Sequence, residues 1–160
     1  MSVQFVEEYR TVDKSKWGDG AWNDEPDKAV WVDAETNLDC MIVRNRLGAL
    51  CGYVGVPEGH PAHGVDCDNV RISENEWPDV HGGLTFAAAC HEGDDPSQFI
   101  CHIPQAGRPD KVWWFGFDCA HSGDLCPSMK EYGFSDHDSY KDFPYVIRDV
   151  ESLAKQLSDV

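Results

Sequence analysis

An acid, a thiol, an imidazole and a second acid fall within seven residues in Asp118-Cys119-Ala120-His121-Ser122-Gly123-Asp124, directly after the aromatic run Trp113-Trp114-Phe115-Gly116-Phe117. Asp118, His121 and Asp124 turned toward one point would bind a hard or borderline divalent ion such as zinc, manganese or magnesium. Alternatively, Asp118 orients His121 as a general base. A third arrangement carries no chemistry: Asp118 and Ser122 close an Asx-type turn on backbone N–H groups.

A second group of this kind is Asp79-Val80-His81-Gly82-Gly83-Leu84-Thr85. Two glycines beside a histidine permit close backbone approach to a ligand, and they equally suit a plain strand entry. Taken together, the two segments predict a pocket. His81, Asp118 and His121 would be its catalytic groups, and His81, Asp118, His121 and Asp124 its metal ligands. Tyr53, Gly82, Gly83, Trp113 and Trp114 would contact substrate. The chemistry expected there is metal-assisted hydrolysis of a small substrate, phosphorylated ones included, with the ion neutralising charge and activating water.

Two further constellations are weaker. Cys51, His81 and Asp118 stand in the order used by papain-like hydrolases, but Cys51 lies inside an apolar run rather than at a helix start, which favours a buried structural thiol. His60-x-x-His63-x-x-x-Cys67 offers three zinc donors, with Asp66 or Asp68 as a fourth. It sits in a loop rich in proline and glycine and contains no cysteine pair. Nucleotide, dinucleotide, zincin and serine-hydrolase signatures are absent.

Elements must hold these groups in place. Residues 1–28 read as an irregular segment. Apolar β-type runs at residues 29–32, 40–44, 49–56, 84–90, 99–103 and 112–117 predict strands, and the Pro/Gly-punctuated 57–64 predicts a loop. Val146, Val150, Leu153 and Leu157 share a stripe at helical spacing, with Pro144 suited to the first turn of a helix over 144–158. The expectation is one α+β domain over 1–160, mainly an antiparallel sheet across 29–118 and closed by a C-terminal amphipathic helix.

Composition limits the partners. The 160 residues are 41% hydrophobic and 26% charged, with a net charge of −16. Every quarter of the chain carries an excess of acid, which describes an acidic surface rather than an acidic tail. Direct nucleic-acid binding and docking on anionic membranes are disfavoured. Partners are expected to be a small molecule or a basic protein surface; a non-enzymatic acidic interaction protein, such as a phage antagonist of a host defence protein or a DNA mimic, is the alternative to a hydrolase, and a small-ligand binding module is a third. No apolar run reaches the about 18 residues of a membrane helix, and no secretory signal is visible at the start. Seven scattered cysteines without a C-x-x-C pair predict free thiols in a reducing cytoplasm.

The segments Trp22-Asn23-Asp24-Glu25-Pro26-Asp27, Leu47-Gly48-Ala49-Leu50-Cys51-Gly52-Tyr53-Val54-Gly55-Val56, Gly59-His60-Pro61, Val80-His81-Gly82-Gly83-Leu84-Thr85-Phe86 and Trp113 through Asp124 are, as a set, similar to those of a family of small hypothetical proteins encoded by bacteria and bacteriophages. The resemblance runs from about residue 20 to residue 158. It implies a cytosolic or phage setting and supplies no mechanism. It includes His60 but neither His63 nor Cys67.

Overall fold

The computed structural model describes residues 3–91, 93, 95–132 and 138–160. Six strands form one sheet: β1 (Glu7–Tyr9), β2 (Lys28–Val32), β3 (Asp39–Arg44), β4 (Leu50–Pro57), β5 (Phe86–Ala89) and β6 (Val112–Asp118). Their spatial order is β1-β2-β3-β4-β6-β5, every pair is antiparallel, and β5 lies at the edge outside β6. Among the described residues one α-helix, α1 (Phe143–Ser158), follows the sheet. The α+β class and the antiparallel sheet with a C-terminal helix hold. Among the described residues no helix is long and apolar enough to cross a membrane.

Strand alternation sorts the core into two layers. On one face Ala29, Trp31, Ile42, Leu50, Val54, Phe115 and Phe117 meet Val146, Val150, Leu153, Ala154 and Leu157 of α1. Each buried aliphatic side chain there contributes about 1.5–3 kcal/mol. The helix packs closely over Gly52, where a Cβ would run into the Phe117 ring and the Val150 methyl. On the other face Val30, Met41, Val43, Cys51, Tyr53, Val112 and Trp114 form a second cluster, with Phe86 and Ile100 packed against it.

The α1 N-terminus follows the expected chemistry. Asp142 caps it, accepting the Tyr145 N–H at 3.0 Å, and Pro144 sits in the first turn. Asp142→Ala is therefore expected to lower stability by about 1 kcal/mol, read as a shift in the urea midpoint at unchanged slope.

Three sequence expectations need correction. Residues 1–28 are not wholly irregular: β1 pairs with β2, and its two glutamates suit an edge that must not recruit another strand. Residues 99–103 form no strand. Their segment crosses the second face, and the carbonyls of Pro96, Phe99 and Cys101 turn to the buried ammonium of Lys28 at 2.8, 3.0 and 2.8 Å instead of joining a ladder. Finally, the cysteines are not all free. Cys90 and Cys101 are joined in a disulfide, bringing their Cα atoms to 4.7 Å. Cys40, Cys51, Cys67, Cys119 and Cys126 remain thiols.

Candidate functional site

Asp118 is the last residue of β6, and the chain then turns back tightly. The Asp118 carboxylate accepts the Ala120 N–H at 3.0 Å and so closes an Asx-type turn, the arrangement that by itself carries no chemistry. Asp124 in turn accepts the His121 N–H at 3.0 Å and donates its own N–H to the His121 carbonyl at 2.9 Å. Gly123 closes this turn at φ 91°, a left-handed conformation that favours glycine. The loop is thereby fixed by its own polar groups, and it holds the His121 ring at the end of the sheet.

The second segment packs against the first. Gly82 has φ 70°, and a Cβ on it would overlap the His121 imidazole. The bare backbone at Gly82 is what lets the two loops meet. Gly83 lies away from His121, and a side chain added there would meet open space.

Four expected groups thus come into one neighbourhood, but as two pairs. His81 and Asp124 form the inner pair: Nε2 lies 2.8 and 3.0 Å from the two carboxylate oxygens. With the Nε2 proton aimed at Asp124, Nδ1 accepts the Tyr145 hydroxyl at 2.8 Å. The His81 backbone N–H donates to Asp149 at 2.7 Å, so both its ring and its backbone are tied to α1. Lys141 Nζ stands 3.1 Å from Asp124 Oδ1. Burial pushes the Asp124 carboxyl up, but the bonds from His81, the His121 N–H and Lys141 outweigh it and hold the group below its ordinary range. Burial, with Asp149 nearby, raises the Tyr145 phenol and keeps it protonated.

The outer pair is Asp118 and His121. His121 Nε2 lies 3.1 Å from Asp118 Oδ1, off the line of a hydrogen bond, and the side chains are 38% and 30% exposed. The two histidine rings are 6.2 Å apart. Among the described residues, the one His/Cys/Asp/Glu group whose three donor atoms all lie within 4.8 Å of one another is Cys90, Cys101 and His102. His81, Asp118, His121 and Asp124 are not gathered around a single ion position. Lys141 supplies at Asp124 the positive charge that an ion would bring.

Asp118 and His121 open onto a cavity of about 470 Å³ on the sheet face away from α1, lined also by Asn45, Cys51, Tyr53, Thr85 and Phe86. Thr85 Oγ1 reaches Asp118 Oδ2 at 3.4 Å. Tyr53 and Phe86 stack edge to face with centroids 5.5 Å apart. Tyr53 lies flat across β6 because Gly116 has no Cβ to obstruct its ring. A neighbouring cavity of about 580 Å³ shares Asn45, Cys51 and Tyr53 and extends to Trp17, Arg46 and Gln98.

Tyr53 therefore lines the cleft, while the two tryptophans do not. Trp114 is fully buried beneath the second face, edge-on to His102 at 5.4 Å. Trp113 points to the opposite face and donates its indole N–H to the Val65 carbonyl at 2.9 Å. Adjacent strand residues face opposite ways, so both could not line one wall.

Cys51 is buried, and burial with Asp118 nearby pushes its thiol up to about 12, the behaviour of a structural cysteine rather than a nucleophile. In the 57–67 loop, His60 spends both ring nitrogens on structure. Nε2 bonds the Leu157 carbonyl at the end of α1 at 3.0 Å, and Nδ1 accepts the Ala62 N–H at 3.0 Å. His60, His63 and Cys67 form no donor cluster.

Tyr145, Asp149, Lys141 and Asn45 escaped the sequence reading, and Thr85 and Phe86 entered it only as part of the His81 segment. Tyr145 and Asp149 carried a signal, since an aromatic and an acid four apart share one helix face beside the apolar stripe. Asn45 carried none. Searches against family models, curated proteins and solved structures found no match to this chain.

Proposed function

We propose that this chain hydrolyses a small substrate bound in the cleft on the sheet face away from α1, with His121 as general base and Asp118 as its partner. The observation that carries this reading is the Asp118–His121 pair, 3.1 Å apart and part-exposed at the rim of a cavity of about 470 Å³. The substrate rests on Tyr53 and Phe86, and Thr85 offers a hydroxyl to it. His121 takes a proton from water as the water attacks, and the Asp118 carboxylate stabilises the imidazolium that forms. Water rather than Cys51 is the nucleophile, because that thiol stays protonated at neutral pH.

Inner and outer pairs have different duties in this proposal. His81 and Asp124 brace the loop, and His121 and Asp118 act on substrate. A phosphorylated substrate would be repelled by Asp118 unless a divalent ion lay between them; for that substrate class zinc, manganese or magnesium would be held by Asp118 and His121, the His121 lone pair would ligate the ion instead of taking the proton, and the ion would supply the activation of water.

The test is turnover of a panel of carboxylic esters, amides and phosphate monoesters, each with and without these ions. His121→Ala and Asp118→Asn are expected to lower kcat by about 10²–10⁴-fold with unchanged circular dichroism. His81→Ala is expected to lower stability by about 1–3 kcal/mol, since it leaves the Asp124 carboxylate short of a donor. Full turnover by His121→Ala would overturn the reading.

The setting proposed with it is the cytosol of a bacterium or of a phage-infected host, supported by the resemblance of the Val80–Phe86 and Trp113–Asp124 segments to proteins from such genomes. The Cys90–Cys101 disulfide is a feature of oxidising compartments. Counting alkylatable thiols in protein taken from intact cells decides between them.

A further inference from the structure

We propose that Cys90, Cys101 and His102 form a redox-gated zinc site: locked while the two cysteines are joined, and binding one zinc ion once they are reduced. The three donor atoms all lie within 4.8 Å of one another. Two ligands of one tetrahedral zinc stand about 3.3–3.8 Å apart, from bonds of about 2.3 Å to sulfur and about 2.0 Å to nitrogen. Small side-chain rotations therefore suffice.

The histidine gives the independent observation. His102 is 7% exposed, yet its Nδ1 is buried without a hydrogen-bond partner. An unpaired polar atom in such a place ordinarily costs about 1–3 kcal/mol. Its tautomer follows from the other nitrogen. Nε2 lies 3.0 Å from the Pro109 carbonyl, which can only accept, so Nε2 carries the proton and Nδ1 presents its lone pair. A ligating histidine is commonly oriented in this way, through the N–H it donates to a carbonyl. Trp114, edge-on at 5.4 Å, and Asp39, with Oδ2 4.0 Å from Nε2, fix the ring from two more sides.

The backbone holds the cysteines together in either state. His91 N–H donates to the Ile100 carbonyl at 3.0 Å, and Lys28 grips the Cys101 carbonyl at 2.8 Å. Breaking the sulfur–sulfur bond therefore does not release the segment. Cys90 is only half-buried, which opens the site to reductant and metal.

The chemistry balances. A dithiol reductant delivers two electrons and two protons to the disulfide, becoming a disulfide itself, and Cys90 and Cys101 become thiols. Zinc replaces the two thiol protons, which leave to solvent, and takes the His102 Nδ1 lone pair as a third ligand. Water completes the tetrahedron.

The experiment compares the chelator-treated disulfide form with protein reduced by dithiothreitol and freed of it by anaerobic gel filtration. Zinc is titrated against a chromogenic chelator. Cobalt then replaces zinc, to show thiolate-to-metal charge transfer and the absorption of a tetrahedral ion. Reduced wild type is expected to take up one zinc ion, with affinity at least about 100-fold above that of its disulfide form, reduced Cys90→Ser and reduced His102→Gln. Equal affinity in the disulfide and reduced forms, or a reduced Cys90→Ser as tight as wild type, overturns the proposal. Should His102→Gln fail to fold, the Cys90→Ser comparison decides alone.

Discussion

Replacing Arg44 by methionine is expected to destabilise the protein by about 3–5 kcal/mol, the usual consequence of removing one partner from a buried ion pair. For a chain of this length that is a fall in Tm of roughly 10–15 °C. The guanidinium is buried on β3 and every edge of it is used. Nε bonds Asp27 at 3.0 Å, Nη1 bonds the Gly48 carbonyl and the Tyr140 hydroxyl at 2.8 Å each, and Nη2 bonds the Pro26 carbonyl at 3.0 Å and approaches Glu25 at 3.4 Å. Glu25 passes the connection on, accepting Tyr140 O–H at 2.5 Å and Phe143 N–H at 2.8 Å at the start of α1. One side chain thus joins the N-terminal segment, the β3–β4 turn and the helix. Methionine fills the space but leaves Asp27 with Lys14, 2.7 Å away, as its remaining cation, and leaves Glu25 with none among the described residues.

The pH dependence carries a definite sign. Burial pushes the Asp27 carboxyl up, but Lys14, the Val12 and Thr11 N–H groups and Arg44 outweigh it and hold it below its ordinary range. Stability from such a depressed carboxyl is fully present above its unfolded value of about 3.9 and is lost as pH falls through the lower folded value. In Arg44→Met the folded value rises, so protonation relieves the unpaired charge at a higher pH. Chemical denaturation at a series of pH values should therefore show the gap between wild type and variant narrowing as pH falls below about 4, toward the lower wild-type value. A gap independent of pH would mean that lost packing, not an unpaired carboxylate, sets the penalty.

The legible parts of the fold were those in which side-chain type reports burial directly. Runs such as Met41-Ile42-Val43 and Trp114-Phe115-Gly116-Phe117 are strands because both faces of this sheet are covered, and the 146/150/153/157 stripe is a helix because one of its faces is. The candidate site was half legible. Asp118 and His121 were visible because a polar loop after an aromatic strand is a common place for exposed reactive groups. Their division from His81 and Asp124 was not visible, since it depends on Tyr145 and Lys141 arriving from α1 and the segment before it. The tryptophans were misassigned by treating neighbours in sequence as neighbours in space, which strand alternation forbids. Arg44 and Lys28 look like ordinary surface cations in a sequence, because burial of a charge is decided by carbonyls and carboxylates from distant segments. The Cys90–Cys101 bond was hidden for the same reason: it depends on a chain reversal between distant backbone groups that no run of residue types announces.

Lys28→Met is expected to cost about 3 kcal/mol and to loosen the segment that covers the second face. Lys28 is 1% exposed. Its three ammonium protons match three carbonyls of one segment, and the Tyr9 and Phe99 rings flank it at 5.7 and 5.5 Å. Burial depresses the ammonium, with Glu7 and Asp95 acting in the opposite direction. Methionine relieves that burial of charge, which offsets part of the loss. Three buried or part-buried carbonyls nevertheless lose their donor at once, at about 1–3 kcal/mol for each left unpaired. The consequence is local as well as global, because Ser97, Gln98 and Ile100 of the same segment line the larger cavity beside the candidate site. Amide exchange should therefore accelerate across residues 97–102 in the variant while β3 and β4 keep their protection under native conditions. Uniform acceleration over the whole sheet would show that Lys28 supports global stability alone. An unchanged Tm would show that the three carbonyls find water as readily as they find the ammonium.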